Sequence, residues 1–181
     1  MRPGKSHQTA QLDTSLTGLR DAVSALLATA DHVRSFWAIP RAPGKWSPSQ
    51  VVEHVARLMD ESAKVAAGAP SAFPTVNPLL RPIVRLLMFK RILRRKAFLN
   101  MKAIEAMDPP RGSRTPAEAR VRLEAVLTRF DQACRARAAS GQDVASTIFG
   151  AVPVADFARF QELHVRHHTL QMPGAGPSAS A

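Results

Sequence analysis

The chain has 181 residues, of which 45% are hydrophobic, with a formal net charge of +11 and one cysteine. This length fits one domain with a single core, and this apolar fraction excludes disorder along the whole chain. The lone cysteine excludes an intramolecular disulfide framework and a CxxC metal or redox site. Residues 1–12 lack the apolar segment of a secretory signal, and no apolar run reaches the roughly 20 residues of a membrane-spanning helix. We therefore expect a cytoplasmic protein.

Most of the positive charge lies in one segment, residues 78–102, which we call the basic insert. The basic insert holds eight lysines and arginines and no acidic residue, so it accounts for eight of the eleven net positive charges. The rest of the chain is nearly balanced. The high net charge therefore describes one segment and does not by itself indicate a nucleic-acid-binding domain.

Two amphipathic helices are predicted in the first third of the chain. Residues 12–37 carry apolar side chains at three- and four-residue spacing, and a stretch rich in proline and glycine at 40–44 ends this helix. The second helix begins at Ser47, which fits an N-cap because Pro48 suits the first helical position and Gln50 completes a capping box.

Two further helices are predicted in the last third of the chain. The third helix begins at Thr115 with the same capping pattern as the second. Thr115 fits an N-cap, Pro116 follows it, and Glu118 lies three residues after the cap. The fourth helix covers about 154–172. Cys134 falls on the packing face of the third helix, so its burial is explained by packing and we do not expect it to be a nucleophile.

These elements predict an all-α fold, because no segment shows convincing period-two alternation. Four helices with one-sided apolar stripes favour an antiparallel four-helix bundle spanning residues 11–172. Residues 1–10 are expected to form a flexible leader and residues 173–181 a disordered tail.

The basic insert lies between helices two and three and is expected to form one or two extra helices. The simplest interpretation is that its apolar face covers one end of the bundle while its arginines stay in water. The alternatives are contact with an anionic membrane or a protein partner, or attraction of an anionic substrate. Nucleic acid is not expected as a partner, because Phe89 and Phe98 are the only aromatic residues there and no recognition motif accompanies them.

Three histidines are placed where they can bind one metal ion. His54 lies between Val51 and Leu58 on the buried side of helix two, and His164 and His168 are one helical turn apart. Three neutral imidazoles suit zinc, nickel, copper or iron and leave a coordination position open. The competing interpretation is a set of core histidines that only form hydrogen bonds.

The remaining histidines are placed differently. His167 lies at the edge of the same helical face, where it can replace a ligand, act as a base, or form a hydrogen bond behind a ligand. Gln171 can orient a ligand in the same way. His7 and His32 lie away from the predicted core, and we expect them to be solvated.

Two stretches resemble the DinB-like superfamily. KWSPSQVVEHVARL (45–58) resembles its second helix, in which a Trp-Ser pair precedes the first metal histidine, and LHVRHHTLQ (163–171) resembles its closing helix with an HxxxH pair. The longer segment IFGAVPVADFARFQELHVRHHTLQ (148–171) is similar to the DUF1569 branch, with Phe157 where tryptophan is usual.

The resemblance implies a bundle that binds zinc or nickel near one end through His54, His164 and His168. Some DinB-like proteins are transferases or isomerases that use a low-molecular-weight thiol such as mycothiol, bacillithiol or glutathione. We therefore interpret the chain as a candidate metal-dependent, thiol-dependent S-transferase acting on a small-molecule substrate. His167 is the candidate catalytic residue, and Gln171 is expected to orient a metal ligand.

The alternative function is that of a non-catalytic, metal-containing bundle. Such a protein binds a ligand, a protein partner or anionic lipid through the basic insert at 78–102. A homodimer through the bundle faces is compatible with either function.

Overall fold

The computed structural model describes residues 5–98 and 107–172, which are mostly helical. In these ranges the helices are α1 (Lys5–His32), α2 (Pro48–Ala67), α3 (Arg81–Val84), α4 (Arg91–Arg95), α5 (Pro116–Ala139) and α6 (Val154–Thr169). The shorter elements are a 3-10 turn (Arg34–Phe36), a π-helical turn (Arg85–Lys90) that joins α3 to α4, and the strands β1 (Val144–Ser146) and β2 (Gly150–Val152). The prediction of a helical fold is confirmed.

The long helices α1, α2, α5 and α6 form the core. Helix α1 packs mainly against α6, and α2 packs mainly against α5. Arg122 of α5 donates hydrogen bonds to both carboxylate oxygens of Glu53 on α2. A Cβ atom on Gly18 of α1 would lie 2.6 Å from Glu162 Oε2 of α6, so glycine permits the close approach of that pair. The buried apolar faces of all four helices join in one cluster.

Local capping signals set where α2 and α5 begin. The Ser47 hydroxyl accepts a hydrogen bond from the Gln50 backbone N–H, and the Gln50 side chain accepts one from the Ser47 backbone N–H. This is the predicted capping box. At the start of α5, Thr115 Oγ1 accepts a hydrogen bond from the Glu118 backbone N–H at 3.2 Å. Because the cap sets the first turn of α2, it also sets the position of His54 two turns later.

The beginning of α1 differs from the prediction. The helix already starts at Lys5, so residues 5–10, which the sequence predicts as part of a flexible leader, are helical. Residues 6–11 are exposed, so this end of the helix extends beyond the packed apolar stripe that predicts it. Residues 1–4 and the predicted tail at 173–181 lie outside the described residues.

Strands β1 and β2 form an antiparallel hairpin that the all-helical prediction missed. The strands pair in register, with Val144 opposite Val152, and the Ser146 hydroxyl accepts hydrogen bonds from two backbone N–H groups of the turn. Each strand has only three residues, which is too short to show the alternation that identifies a strand in a sequence. The turn places Phe149 against Phe160 of α6, with 5.6 Å between the ring centroids.

The basic insert is helical over residues 81–95, and its residues 99–102 lie outside the described ranges. Its inner face packs on the core through Phe89 and Ile92, which are both fully buried. Phe89 stacks on Phe160 of α6, with 5.1 Å between the ring centroids. Within the described ranges, neither this helix nor any other is long and apolar enough to cross a membrane.

Replacing Gly112 with alanine is expected to destabilise the fold. A Cβ atom on Gly112 would lie 2.2 Å from the carbonyl carbon of Ser49, in the first turn of α2. Backbone has to move to relieve such an overlap, and overpacking of this kind costs about 1–3 kcal/mol in the free energy of unfolding. Urea denaturation measures the loss, with Ser113→Ala as the neighbouring control. Equal stability of Gly112→Ala and the control would contradict the prediction.

Candidate metal centre

Three histidines from two helices meet at a buried point. His54 comes from α2, and His164 and His168 come from α6. His54 Nε2 lies 3.3 Å from His164 Nε2, and His168 Nε2 lies 3.0 Å from the same atom. Each ring offers one nitrogen to a shared point, and these atoms all lie within 4.8 Å of one another. The structure therefore brings together the three residues that the sequence predicts as metal ligands.

Hydrogen bonds to the outer nitrogens determine which ring atom faces that point. His54 Nδ1 lies 2.8 Å from the carbonyl oxygen of Met107, and His168 Nδ1 lies 2.8 Å from Gln171 Oε1. Both oxygens only accept hydrogen bonds, so the two Nδ1 atoms carry the protons and the two Nε2 atoms present lone pairs. Both lone pairs face His164 Nε2. An acceptor behind the ring, as His54 and His168 both have, is typical of histidines that bind a metal.

His164 is the least satisfied of the three side chains. Its Nδ1 atom is buried and has no hydrogen-bond partner among the described residues. A proton on its Nε2 can be donated to only one of the two facing lone pairs at a time. The protein groups alone therefore leave at least one lone pair without a donor. A divalent cation, in contrast, can accept an Nε2 lone pair from each of the three rings. The residues present fit a metal ion.

The three imidazoles are neutral in the fold, which is the form that binds metals. Burial lowers the pKa of His54 and lowers the pKa of His164 well below its usual value, with the neighbouring histidines adding to the effect on His164. Burial is also the main reason that the pKa of His168 falls to about 3. No proton therefore competes for these nitrogens near neutral pH.

Acid is expected to destabilise the metal-free protein through these histidines. The usual pKa of His168, 6.5, applies to the unfolded chain, whereas the folded value is about 3, so below pH 6.5 the unfolded state binds the proton more tightly. Stability is unaffected by this group above pH 6.5 and falls as the pH falls, by about 2 kcal/mol at about pH 5. Urea denaturation of EDTA-treated protein measures this loss, which should be smaller in His168→Gln. A midpoint that does not change with pH would contradict the prediction.

Gln171 links the metal-site histidines to His167. Its Oε1 accepts the hydrogen bond from His168, and its Nε2 donates to His167 Nε2 over 2.9 Å. His167 therefore carries its own proton on Nδ1. The ring is half-buried and lies beside Phe98, with 5.7 Å between the centroids, and outside the group of three converging nitrogens.

Trp46 lies beside the rings of His54 and His168. Its ring centroid is 4.6 Å from that of His54 and 6.1 Å from that of His168. The indole Nε1 donates a hydrogen bond to Asp108 Oδ1 at 3.0 Å, which anchors the loop that also supplies the Met107 carbonyl oxygen. The tryptophan therefore packs against the ring of His54 and holds the loop behind it.

A cavity of about 650 Å³ adjoins the three histidines. This volume suits a small organic molecule. Its apolar wall comes from α2, the loop that follows α2, the basic insert, the hairpin and α6, and includes Leu58, Phe73, Met88, Phe98, Phe149 and Phe160. Gln161 supplies a polar group: its Nε2 donates to Ser62 Oγ at 3.0 Å, while its Oε1 is buried without a partner in the described residues. Arg41 and Lys45 add positive charge to the lining.

One protein-family model matches this chain over most of its length. The family is described as a protein of unknown function, DUF1569, and the match covers residues 33–173. The chain belongs to the DUF1569 family. The matched segment contains all three histidines, the basic insert and the hairpin. No curated protein matches the chain, and no solved structure matches it.

Some features of this DUF1569 site were not predicted from the sequence. The Met107 carbonyl oxygen leaves no trace in the sequence, because backbone groups are present at every residue. Gln161 lies on the same face of helix α6 as the histidines, and this position is the feature of the sequence that could have identified it as a site residue. Cys134 lies outside the cavity lining, and burial raises the pKa of its thiol to about 12. This agrees with the expectation that Cys134 is not a nucleophile.

Proposed function

We propose that this DUF1569 protein is a divalent-metal-dependent enzyme in which His54, His164 and His168 bind the metal. The observation that carries the proposal is the convergence of three neutral Nε2 atoms beside a cavity large enough for a substrate. Two of these atoms are held unprotonated by acceptors behind the rings. Histidines that only stabilise the fold would be expected to pair each buried nitrogen with a hydrogen-bond partner, and not to direct unprotonated nitrogens at one point.

We also propose that the architecture is a DinB-like antiparallel four-helix bundle. The pairing of α1 with α6 and of α2 with α5 supports this assignment, as does the origin of the three histidines in α2 and α6. The basic insert and the hairpin are additions to such a bundle, and both contribute to the wall of the cavity.

The metal would supply Lewis acidity, which lowers the pKa of a bound thiol or water molecule. Zinc and nickel both suit three imidazole ligands. Three protein ligands are fewer than the four that zinc usually takes, so an atom of a substrate in the cavity can complete the set. The protein's own part is to keep the imidazoles neutral, fix their orientation and exclude water with apolar walls.

The proposed reaction is transfer of a low-molecular-weight thiol to an electrophilic carbon. A sulfur–carbon bond forms, the bond between that carbon and its leaving group breaks, and the leaving group departs with the electron pair. The thiol proton is released to water. The thiol follows from the resemblance to DinB-like transferases, and the aromatic and methionine side chains of the cavity suit an apolar electrophile.

His167 has a positioning role in this proposal. Its Nε2 accepts the Gln171 amide, so that nitrogen is not free to take a proton from a substrate. By holding the amide, His167 turns Gln171 Oε1 towards His168. The alternative role, that of a catalytic base, predicts a different phenotype for His167→Phe. Loss of positioning weakens metal binding, whereas loss of a base lowers kcat and leaves the metal in place.

A conjugation assay tests the proposed activity. Tag-free protein loaded with zinc or nickel is incubated with mycothiol, bacillithiol or glutathione and a panel of alkyl and aryl electrophiles, and products are identified by mass. Conjugation that disappears with EDTA and in His54→Ala, but persists in Cys134→Ala, supports the proposal. Metal-loaded protein that forms no conjugate with any of these pairs rejects the thiol transferase.

A further inference from the structure

The outer face of the basic insert is unusually apolar for a protein surface. Among the described residues, nine large hydrophobic side chains are exposed, and five of them lie between positions 79 and 87. These five are Leu79, Leu80, Ile83, Leu86 and Leu87, with exposed fractions from 51% to 84%. A concentration of this kind within nine residues marks an interaction surface, whereas single exposed apolar residues are ordinary.

Three of these side chains, Ile83, Leu86 and Leu87, belong to the helical segment, and Leu79 and Leu80 lie in the turn just before it. Leu80, Ile83 and Leu87 follow one another at spacings of three and four, which places them on a common face. The other side carries Phe89 and Ile92, which are fully buried against the core. The segment therefore has apolar side chains on two faces. Its inner face packs on the protein, and its outer face has no protein partner in the described residues.

Unpaired positive charge continues this outer face. Arg91, Arg94, Arg95 and Lys96 are exposed, and none of them has a hydrogen bond or ion pair with the described residues. The other basic side chains nearby are already occupied: Arg81 and Arg85 donate to the carbonyl oxygens of Val76 and Ala151, and Lys90 pairs with Asp156. Four cations without a partner among the described residues thus follow the exposed leucines and isoleucine in the next turns of the segment.

We infer that this face docks on the surface of an anionic phospholipid bilayer. Apolar side chains inserted at the acyl boundary, with arginines and lysines among acidic headgroups, are the pattern of an interfacial helix. Residues 78–98 contain no acidic side chain that would repel such a surface. The helix lies in the plane of the interface, and the rest of the protein remains on the aqueous side.

Charge argues against the two competing occupants. A second copy of the chain would bring its own four cations against these four, which repel each other without an intervening anion. Nucleic acid would pair with the arginines but gain nothing from exposed leucines, and the aromatic Phe89 is buried and unable to stack on a base. A bilayer satisfies both the charge and the apolar side chains.

Vesicle binding tests the inference with the full-length, metal-loaded protein. Vesicles of phosphatidylcholine alone are compared with vesicles that contain about 30 mol% phosphatidylglycerol. We expect binding to the anionic vesicles to be at least about tenfold tighter than to the neutral ones. It should weaken when NaCl rises from about 0.1 M to about 1 M, which shortens the Debye length from about 10 Å to about 3 Å.

Two triple variants separate the two halves of the surface. Ile83→Ser, Leu86→Ser and Leu87→Ser together remove the apolar part, and Arg91→Gln, Arg94→Gln and Arg95→Gln together remove the charge. Each triple variant is expected to weaken binding at least about tenfold, since several side chains contribute together. All six positions lack partners in the core, and retained metal content and circular dichroism confirm that the variants are folded.

Matched controls carry the same chemical changes elsewhere. Arg34→Gln, Arg111→Gln and Arg114→Gln lower the net charge equally at exposed sites, and Ile39→Ser, Val121→Ser and Leu170→Ser remove three exposed apolar side chains. Both controls are expected to bind as the wild type does. The inference is overturned by equal binding to neutral and anionic vesicles, or by equal losses in the controls. Dimerisation that depends on Ile83, Leu86 and Leu87, without vesicle binding, would assign the face to a second copy instead.

Discussion

Replacing His164 with alanine is expected to abolish specific metal binding. His164 Nε2 is the atom that lies within 3.3 Å of both other ligand nitrogens, so it occupies the middle of the site. Its removal leaves only the imidazoles of His54 and His168 to bind the metal. Changes behind a ligand typically lower metal affinity about 10–100-fold, so loss of the central ligand itself should cost at least about 100-fold. Competition with a chelating dye measures the affinity.

Two controls make this result specific. His32→Ala removes an exposed histidine at the end of α1 whose ring bonds to the carbonyl oxygen of Ala28, one turn earlier in the same helix, and it should leave the affinity unchanged. Metal-free His164→Ala is expected to stay folded, because the substitution removes at most one hydrogen bond, from His164 Nε2 to His54 or His168, and Nδ1 has no partner in the described residues. A folded His164→Ala protein that keeps the wild-type affinity would contradict the three-histidine site.

Replacing Gln171 with leucine is expected to lower metal affinity about 10–100-fold. Leucine has a similar size but cannot accept the hydrogen bond from His168 Nδ1. Without that acceptor, the proton of His168 is free to move to Nε2, and the lone pair then points away from the metal. The same dye competition measures this change, and the wild-type fold should be retained because Gln171 is only half-buried.

Gln171→Glu is the matched control for this prediction. A carboxylate accepts the hydrogen bond from His168 at least as well as an amide oxygen and makes the ring a better metal ligand. We therefore expect Gln171→Glu to retain or exceed the wild-type affinity. If leucine and glutamate weaken binding equally, Gln171 does not act through the tautomer of His168.

Features encoded over a few neighbouring residues were predictable from the sequence. The predictions of the capping box at Ser47 and Gln50 and of the cap at Thr115 are confirmed. Each depends on residues only three positions apart. The pairing of His164 with His168 was predictable for the same reason, since four residues make one helical turn. The three-residue strands were missed because they are shorter than the pattern that reveals a strand.

Features that depend on distant partners were not predictable from spacing. His54 bonds to the carbonyl oxygen of Met107, 53 residues away, and Gln161 bonds to Ser62, 99 residues away. Helical periodicity says which face of a helix is buried but not which residue of another element lies opposite. The meeting of His54 with His164 was expected from the family resemblance, whereas the acceptor that fixes its tautomer emerged with the structure.

The exposed side of the basic insert shows the same limit. Its mixture of arginine, leucine and isoleucine predicts a helix with two different faces, and the sequence favours packing of the apolar one. The structure places Phe89 and Ile92 inside but leaves Ile83 and Leu86 more than half exposed. The segment has more apolar side chains than one packed face can bury, and only the tertiary arrangement shows which of them remain outside.

The metal content of tag-free protein tests the central claim most directly. Elemental analysis is made on purified wild type beside His54→Ala and His168→Ala, before and after incubation with zinc or nickel. Three converging, neutral imidazoles predict near-stoichiometric metal in the wild type and its loss in both variants. A folded wild-type protein that holds no metal, even after reconstitution, would contradict the metal site and with it the proposed enzyme.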